Sequence, residues 1–316
     1  MLLLGTESLQ EGKDTLMPQK LLERWMLWTL GESVTRTISV AFTNVIGRLI
    51  TTTGESVLAT FILGLVQMLG GTLIARAAQK PLWIGKRLAL WCFVFAVFAV
   101  LQTVLLFLIF ARGGDMGVTV FIISLSVIFG ALVDWFVFRR ARITLRGWAG
   151  ISLGAVAAYA VLGFPGIESG IPADWWLLMA FAIMLMITAN QGVTVIVKDM
   201  DPHVKNALVG LYTTVLCAPV LLIVPLGSLS SLFYLFAVIE GVVVIGIIVT
   251  NLMAYKGNAL MAIKKLTMFG LFLALSAIVG MLFFGDPFSW GKIVGIVLFV
   301  PAFYLLQTGT ERLRKQ

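Results

Sequence analysis

Ten stretches of roughly twenty mostly apolar residues follow one another along this chain with little between them, and this pattern constrains the fold most. They fall near 27–49, 55–77, 88–110, 116–138, 146–164, 175–197, 206–226, 231–253, 258–284 and 290–308. In hydrocarbon every backbone N–H and C=O must be bonded within its own segment, so such stretches predict bilayer-crossing helices. Of the 316 residues, 60% are hydrophobic and 12% charged, where soluble domains carry about 45–50% apolar and about 25% charged residues. An aqueous domain would have to expose much of that apolar surface, which excludes an ordinary cytosolic enzyme. Cys92 and Cys217 both lie within apolar stretches, which excludes a disulfide scaffold. With His203 the only histidine, no zinc set of the usual His/Cys kind can be assembled.

The net charge of +8 reads as basic loop residues of a membrane protein, not as a nucleic-acid surface. Numbering the stretches from one, the even-to-odd connections and the C-terminal tail carry most of the basic residues. These are Arg76, Lys80, Lys86, Arg87, Arg139, Arg140, Arg142, Arg146, Lys198, Lys205, Lys256, Arg312, Arg314 and Lys315. The other side holds only Arg48, Arg112 and Lys292, beside Glu55, Asp115, Glu168, Asp174 and Asp286. Because cytoplasmic loops concentrate Lys and Arg, both termini are expected inside, which requires an even number of crossings. The short loops favour a bacterial-type inner or plasma membrane. Residues 1–24 read as an interfacial or disordered leader, with Trp25 and Trp28 as interface anchors, and MLLLG is too brief for a signal-peptide core.

The chain also repeats itself. ARGGD (111–115) matches AYKGN (254–258), ITLRGWAGISL (143–153) lines up with FSWGKIVGIVL (288–298), and Trp25 and Arg48 fall on Trp175 and Lys198. The expected fold is therefore an all-α integral membrane protein of ten transmembrane helices, built as two five-helix repeats over 25–165 and 174–309 with a basic tail at 310–316. Five is odd, so the copies insert in opposite directions. Basic RRARITLR (139–146) against FGDPFSWG (284–291), which has lost that charge, agrees with this inversion. Inverted repeats with a site near the midplane are the architecture of many secondary transporters.

The stretch GVTVFIISLSVIFGALVDWFVFRRARITLRGWAGISLGAVAAYAVL (117–162) resembles the last two helices of an EamA-type repeat of the drug/metabolite transporter superfamily, and 258–306 resembles the same unit. Arg139 and Arg140 stand where that pattern often has an acid. The segment GNALMAIKKLTMFGLFLALSAIVGMLFFGDPFSW (257–290) is similar to the ninth helix of nucleotide-sugar and triose-phosphate translocators. That resemblance implies that Lys264 and Lys265 contact the anionic part of a substrate.

Ionisable side chains within a bilayer are functional candidates by default. Lys264 and Lys265 either face a central cavity, snorkel to the interface or pair structurally. Glu240, in FAVIEGVVVI, is the deepest acid, a candidate proton carrier and gate or a partner for a cation. Glu32 and Arg36 have the spacing of an ion pair on one helix face; their repeat partners, Ala182 and Met186, lie inside the sixth stretch. Asn44, Gln67, Gln102, Asn190 and Gln191 are candidate hydrogen-bonding groups for a polar solute, as is Thr103, or serve as interhelical bonds. Asp134 is expected to pair at the interface with Arg139 or Arg140.

No P-loop is present and no Ser/His/Asp or Cys/His set can be built, so no enzyme activity and no cofactor or metal is expected. The reading is a secondary transporter that exports or exchanges a small polar metabolite, anionic if the lysines face the cavity. Its partners would be that solute, the bilayer, and a proton or counter-substrate, with no nucleic acid. The alternatives are an exporter of amino acids or amphipathic cations, and a membrane enzyme or flippase component acting on lipid-linked substrates.

Overall fold

A computed structural model of the chain describes residues 17–161, 175–286 and 288–312. The helices are α1 (Met17–Leu49), α2 (Thr53–Ala77), α3 (Lys86–Ala111), α4 (Met116–Val137), α5 (Leu145–Val161), α6 (Trp175–Ile196), α7 (Pro202–Leu221), α8 (Ser231–Lys256), α9 (Met261–Phe283) and α10 (Trp290–Thr308). Among the described residues, eight of these, all but α1 and α5, are long and apolar enough to cross a membrane. Helix α1 is 33 residues long but is interrupted by Glu32, Arg36 and Arg48, and α5 is described over 17 residues. The expected leader falls largely on residues 1–16, outside the described residues, as do Glu168, Asp174, Arg314 and Lys315; α1 already begins at Met17.

The helix starts follow from local chemistry. Thr52 and Glu55 form a reciprocal capping box at α2, and Asp201 caps α7 just ahead of Pro202. Ser230 and Ser289 cap α8 and α10, and Asp115 caps α4. Helix α4 is not uniform: it runs as α-helix to Ser124, resumes over Ser126–Leu132 and ends in a π-helical turn, Val133–Val137. Arg139 then turns the chain with φ 50° into strand β1 (Ala141–Ile143). That strand pairs antiparallel with β2 (Thr310–Arg312), Arg142 opposite Glu311. The expectation of purely helical structure missed this clasp.

The polarity of the bundle is that of a chain solvated by lipid. Large apolar side chains such as Leu27, Leu73, Leu178, Val215, Val242 and Val297 face outward, while Glu32, Asn44, Gln67, Lys205, Lys264 and Lys265 are buried. This is an all-α membrane protein. The closest helix pairs are α2 with α7, α5 with α10, α1 with α8 and α3 with α6; α2 also packs on α8, α3 on α7, α1 on α9, and α4 on both α6 and α9. Small residues allow the approach: Gly64 and Gly71 of α2 meet Gly210 and its neighbours on α7, and Gly150 of α5 lies against the α10 backbone.

Candidate functional site

A cavity of about 150 Å³ lies at the centre of the bundle. Its walls come mainly from α1, α2, α3, α6, α7 and α8, with Ile123 of α4 and Phe269 and Phe272 of α9, and among the described residues none of α5 or α10 lines it. Of the residues singled out in the sequence, Arg36, Gln67, Gln102, Thr103, Asn190, Gln191 and Glu240 line it. Glu32, Asn44, Lys264 and Lys265 do not.

Arg36 joins the cavity to a buried chain of charges. Its Nε and Nη2 both donate to Glu32 Oε1 at 2.8 Å, the ion pair expected from the spacing. Glu32 Oε2 meets Lys264 Nζ at 2.5 Å, and both of those side chains are fully buried. Lys264 also donates to Asn251 Oδ1 at 2.5 Å and lies over the Tyr255 ring at 4.7 Å. Tyr255 in turn donates to Gln191 Oε1 at 2.7 Å. Lys265 points elsewhere, donating to the Ser126 carbonyl at 3.1 Å and to Thr188 Oγ1 at 3.2 Å. Neither lysine snorkels and neither lines the cavity. Adjacent helix positions diverge by about 100° at 3.6 residues per turn, and helices on both sides supply acceptors. Arg36, with 18% of its side chain accessible, is the charged member of the chain on the cavity wall, where the neutral members Asn251 and Gln191 also lie.

Glu240 occupies the other pole. Its Oε1 accepts from Ser39 Oγ at 2.5 Å and from Thr43 Oγ1 at 3.4 Å; its Oε2 is buried without a hydrogen-bond partner. Asn190 donates to Gln102 Oε1 at 3.3 Å, while its own Oδ1 has no partner. Gln67 is engaged with Asn206 Oδ1 at 2.9 Å. Asn44 is occupied by Arg48 Nε at 2.9 Å, away from the cavity.

Lys205 requires a correction. It was counted with the basic loops, but a short connection after α6 and the Asp201–Pro202 start place it in the first turn of α7, fully buried. There it donates to Thr194 Oγ1 at 2.9 Å and stacks 4.2 Å from the Phe95 ring, which lines the cavity. Asn251 and Tyr255 were also missed, although with Glu240 and Ile247 they fall on one stripe of α8 at helical spacing, a signal the sequence does carry.

A second cluster closes the opposite end. Asp115, the cap of α4, pairs with Lys292 of α10. Asp286 accepts from the Met116 and Gly117 N–H groups at 2.9 and 3.3 Å. Arg48 of α1 donates to the Phe284 carbonyl at 2.9 Å. Burial and the neighbouring Asp115 carboxylate push the Asp286 acid above its ordinary value, against the pull of the Gly117 N–H and Lys292. At the other end, Asp134 pairs with Arg140 at 2.8 Å, as expected, and its second oxygen accepts from Ala262 N at the start of α9. Among the described residues no three His, Cys, Asp or Glu side chains converge as metal ligands.

No family model matches the chain, and no curated protein sequence matches it. A solved structure described as "Crystal structure of protein" is similar in fold, with a TM-score of 0.63 at 13% identity over 88% of this chain and 95% of the other. The likeness is one of fold alone.

Proposed function

We propose that this protein is a secondary transporter that moves a small polar metabolite bearing an anionic group across the membrane by alternating access, as an exporter or exchanger. In this reading all ten helices cross the bilayer as two inverted five-helix repeats, of the EamA type of the drug/metabolite superfamily, with both termini cytoplasmic. The packing supports the repeat. Exchanging α1–α5 with α6–α10 turns the α1–α8 pair into α6–α3, α2–α8 into α7–α3 and α1–α9 into α6–α4, and all of these are present. The pairs α2–α7, α4–α9 and α5–α10 are their own counterparts, as a two-fold axis through the bundle centre requires.

The observation that carries the substrate charge is Arg36 on the cavity wall. The chain Arg36–Glu32–Lys264 holds two cations for one anion, Glu32 and Lys264 are fully buried, and its open end is the guanidinium. A carboxylate or phosphate in the cavity would supply the missing countercharge. Lys264 thus acts through Glu32 and the wall residue Asn251, not by touching the solute, and Lys265 takes no part. An exporter of amino acids or amphipathic cations is the second reading, favoured by Glu240 on the same wall.

The test is a thermal-shift screen of metabolites on purified protein, followed by counterflow in proteoliposomes. A ligand that binds the native state raises its apparent stability. Carboxylated or phosphorylated compounds should stabilise the wild type and should lose that effect in Arg36→Gln, while Lys265→Met keeps it. Stabilisation by neutral or cationic compounds alone, equal in Arg36→Gln, would overturn the reading.

A further inference from the structure

The cavity has two poles of opposite sign joined by an apolar middle. At one end is the Arg36 guanidinium, whose Nε and Nη2 are taken by Glu32 while Nη1 remains for a ligand. At the other, Glu240 lines the cavity, is 2% exposed, and its buried Oε2 has no donor. Asn190, 4% exposed on the same wall, likewise leaves Oδ1 without a donor. Buried acceptors without partners are rare and costly, and an ammonium beside Glu240 would satisfy its Oε2. Between the poles the wall is formed by Val40, Val244 and Ile247.

Helix α1 provides the ruler. Arg36 reaches back to Glu32, whereas the Glu240 carboxyl is held at the level of Ser39. Seven residues separate those levels, a rise of roughly 10 Å. The two charges of an α-amino acid, attached to one carbon, are too close together to meet both poles.

Resting on the transporter reading above, we infer that the substrate is amphoteric. Its carboxylate or phosphate sits at Arg36, an ammonium sits at Glu240, and an alkyl spacer runs along the apolar wall between them. Such a molecule neutralises the excess cation at one end and supplies an N–H donor to the orphaned Glu240 oxygen at the other.

The experiment compares thermal shifts produced by glycine, γ-aminobutyrate, ε-aminocaproate, caproate and adipate on wild type, Glu240→Gln, Glu240→Asp and Arg36→Gln. Wild type should respond to ε-aminocaproate more than to caproate or adipate, and least to glycine. Glu240→Gln should abolish the advantage of ε-aminocaproate over caproate while keeping the caproate response. Glu240→Asp, which keeps the charge but withdraws it by one methylene, should retain a smaller advantage. Arg36→Gln should lose the response to every carboxylate. Equal shifts from caproate and ε-aminocaproate in wild type, or an advantage that survives Glu240→Gln, would overturn the amphoteric substrate and leave the anion reading standing. No shift from any carboxylate would overturn both.

Discussion

Glu32 is the residue on which the interior of this bundle depends. It is fully buried and takes a cation on each oxygen, Arg36 from one turn along its own helix and Lys264 from α9. Removing one partner of a buried pair leaves an uncompensated charge, a loss on the order of 3–5 kcal/mol. Glu32→Gln, which leaves the buried Lys264 ammonium without its anion, is therefore expected to lower the melting temperature sharply, and adding Lys264→Met should restore much of it. Additive losses in that double-mutant cycle would show that the pair contributes nothing. The Glu32–Arg36 half of this chain was legible in the sequence because four residues along a helix is a local relation. The Lys264 half was not, since which of two adjacent lysines meets Glu32 depends on how α9 is rotated against α1. Lys205 was misjudged for a related reason: a cation three residues after Pro202 reads as loop or helix according to where the first turn closes.

The elements themselves were legible in the apolar pattern. Each of the ten apolar stretches is a helix in the structure, but the starts set by Thr52 with Glu55, Asp201 with Pro202, Ser230 and Ser289 were not read, and α7 begins four residues before the expected 206. The early start of α1 was not read although Pro18 stands in its first turn, and the π-turn of α4 carries no local sequence signal. Close packing of α2 on α7 rests on glycines. A Cβ at Gly210 would run into the α2 backbone at Gly64 and Met68, whereas one at Gly154 on α5 would meet nothing. Gly210→Ala should thus destabilise the protein and weaken ligand-induced shifts, since both helices line the cavity. Gly154→Ala should be neutral or stabilising by up to about 1 kcal/mol, as expected for an open helical position. A thermal melt of the two variants checks both, and equal effects would show that the α2–α7 contact is looser than its geometry.

At the scale of the whole molecule, the Asp115–Asp286–Lys292 cluster fastens the ends of α4, α9 and α10 together, with Arg48 of α1 alongside. Asp286 has its acid raised by burial and by Asp115. A carboxyl raised on folding contributes stability that is complete below its unfolded value and is lost as pH climbs through the folded one. The melting temperature of wild type relative to Asp286→Asn should accordingly fall as pH rises above the ordinary carboxyl value of 3.8. A difference that grows with pH would contradict the assignment. At the far end of the bundle the β1–β2 clasp ties the segment after α4 to the chain's last described residues, so both bundle ends have their own fastening. The charge chain between those ends has an electrical consequence. Arg36, Glu32 and Lys264 carry a net positive charge inside a medium across which a cell maintains its voltage. One elementary charge carried through the full field is worth about 2.3 kcal/mol per 100 mV. In the proposed transport cycle, any rocking of α1 and α9 along the membrane normal would therefore be work done with or against the membrane potential, even for a cargo that is neutral overall.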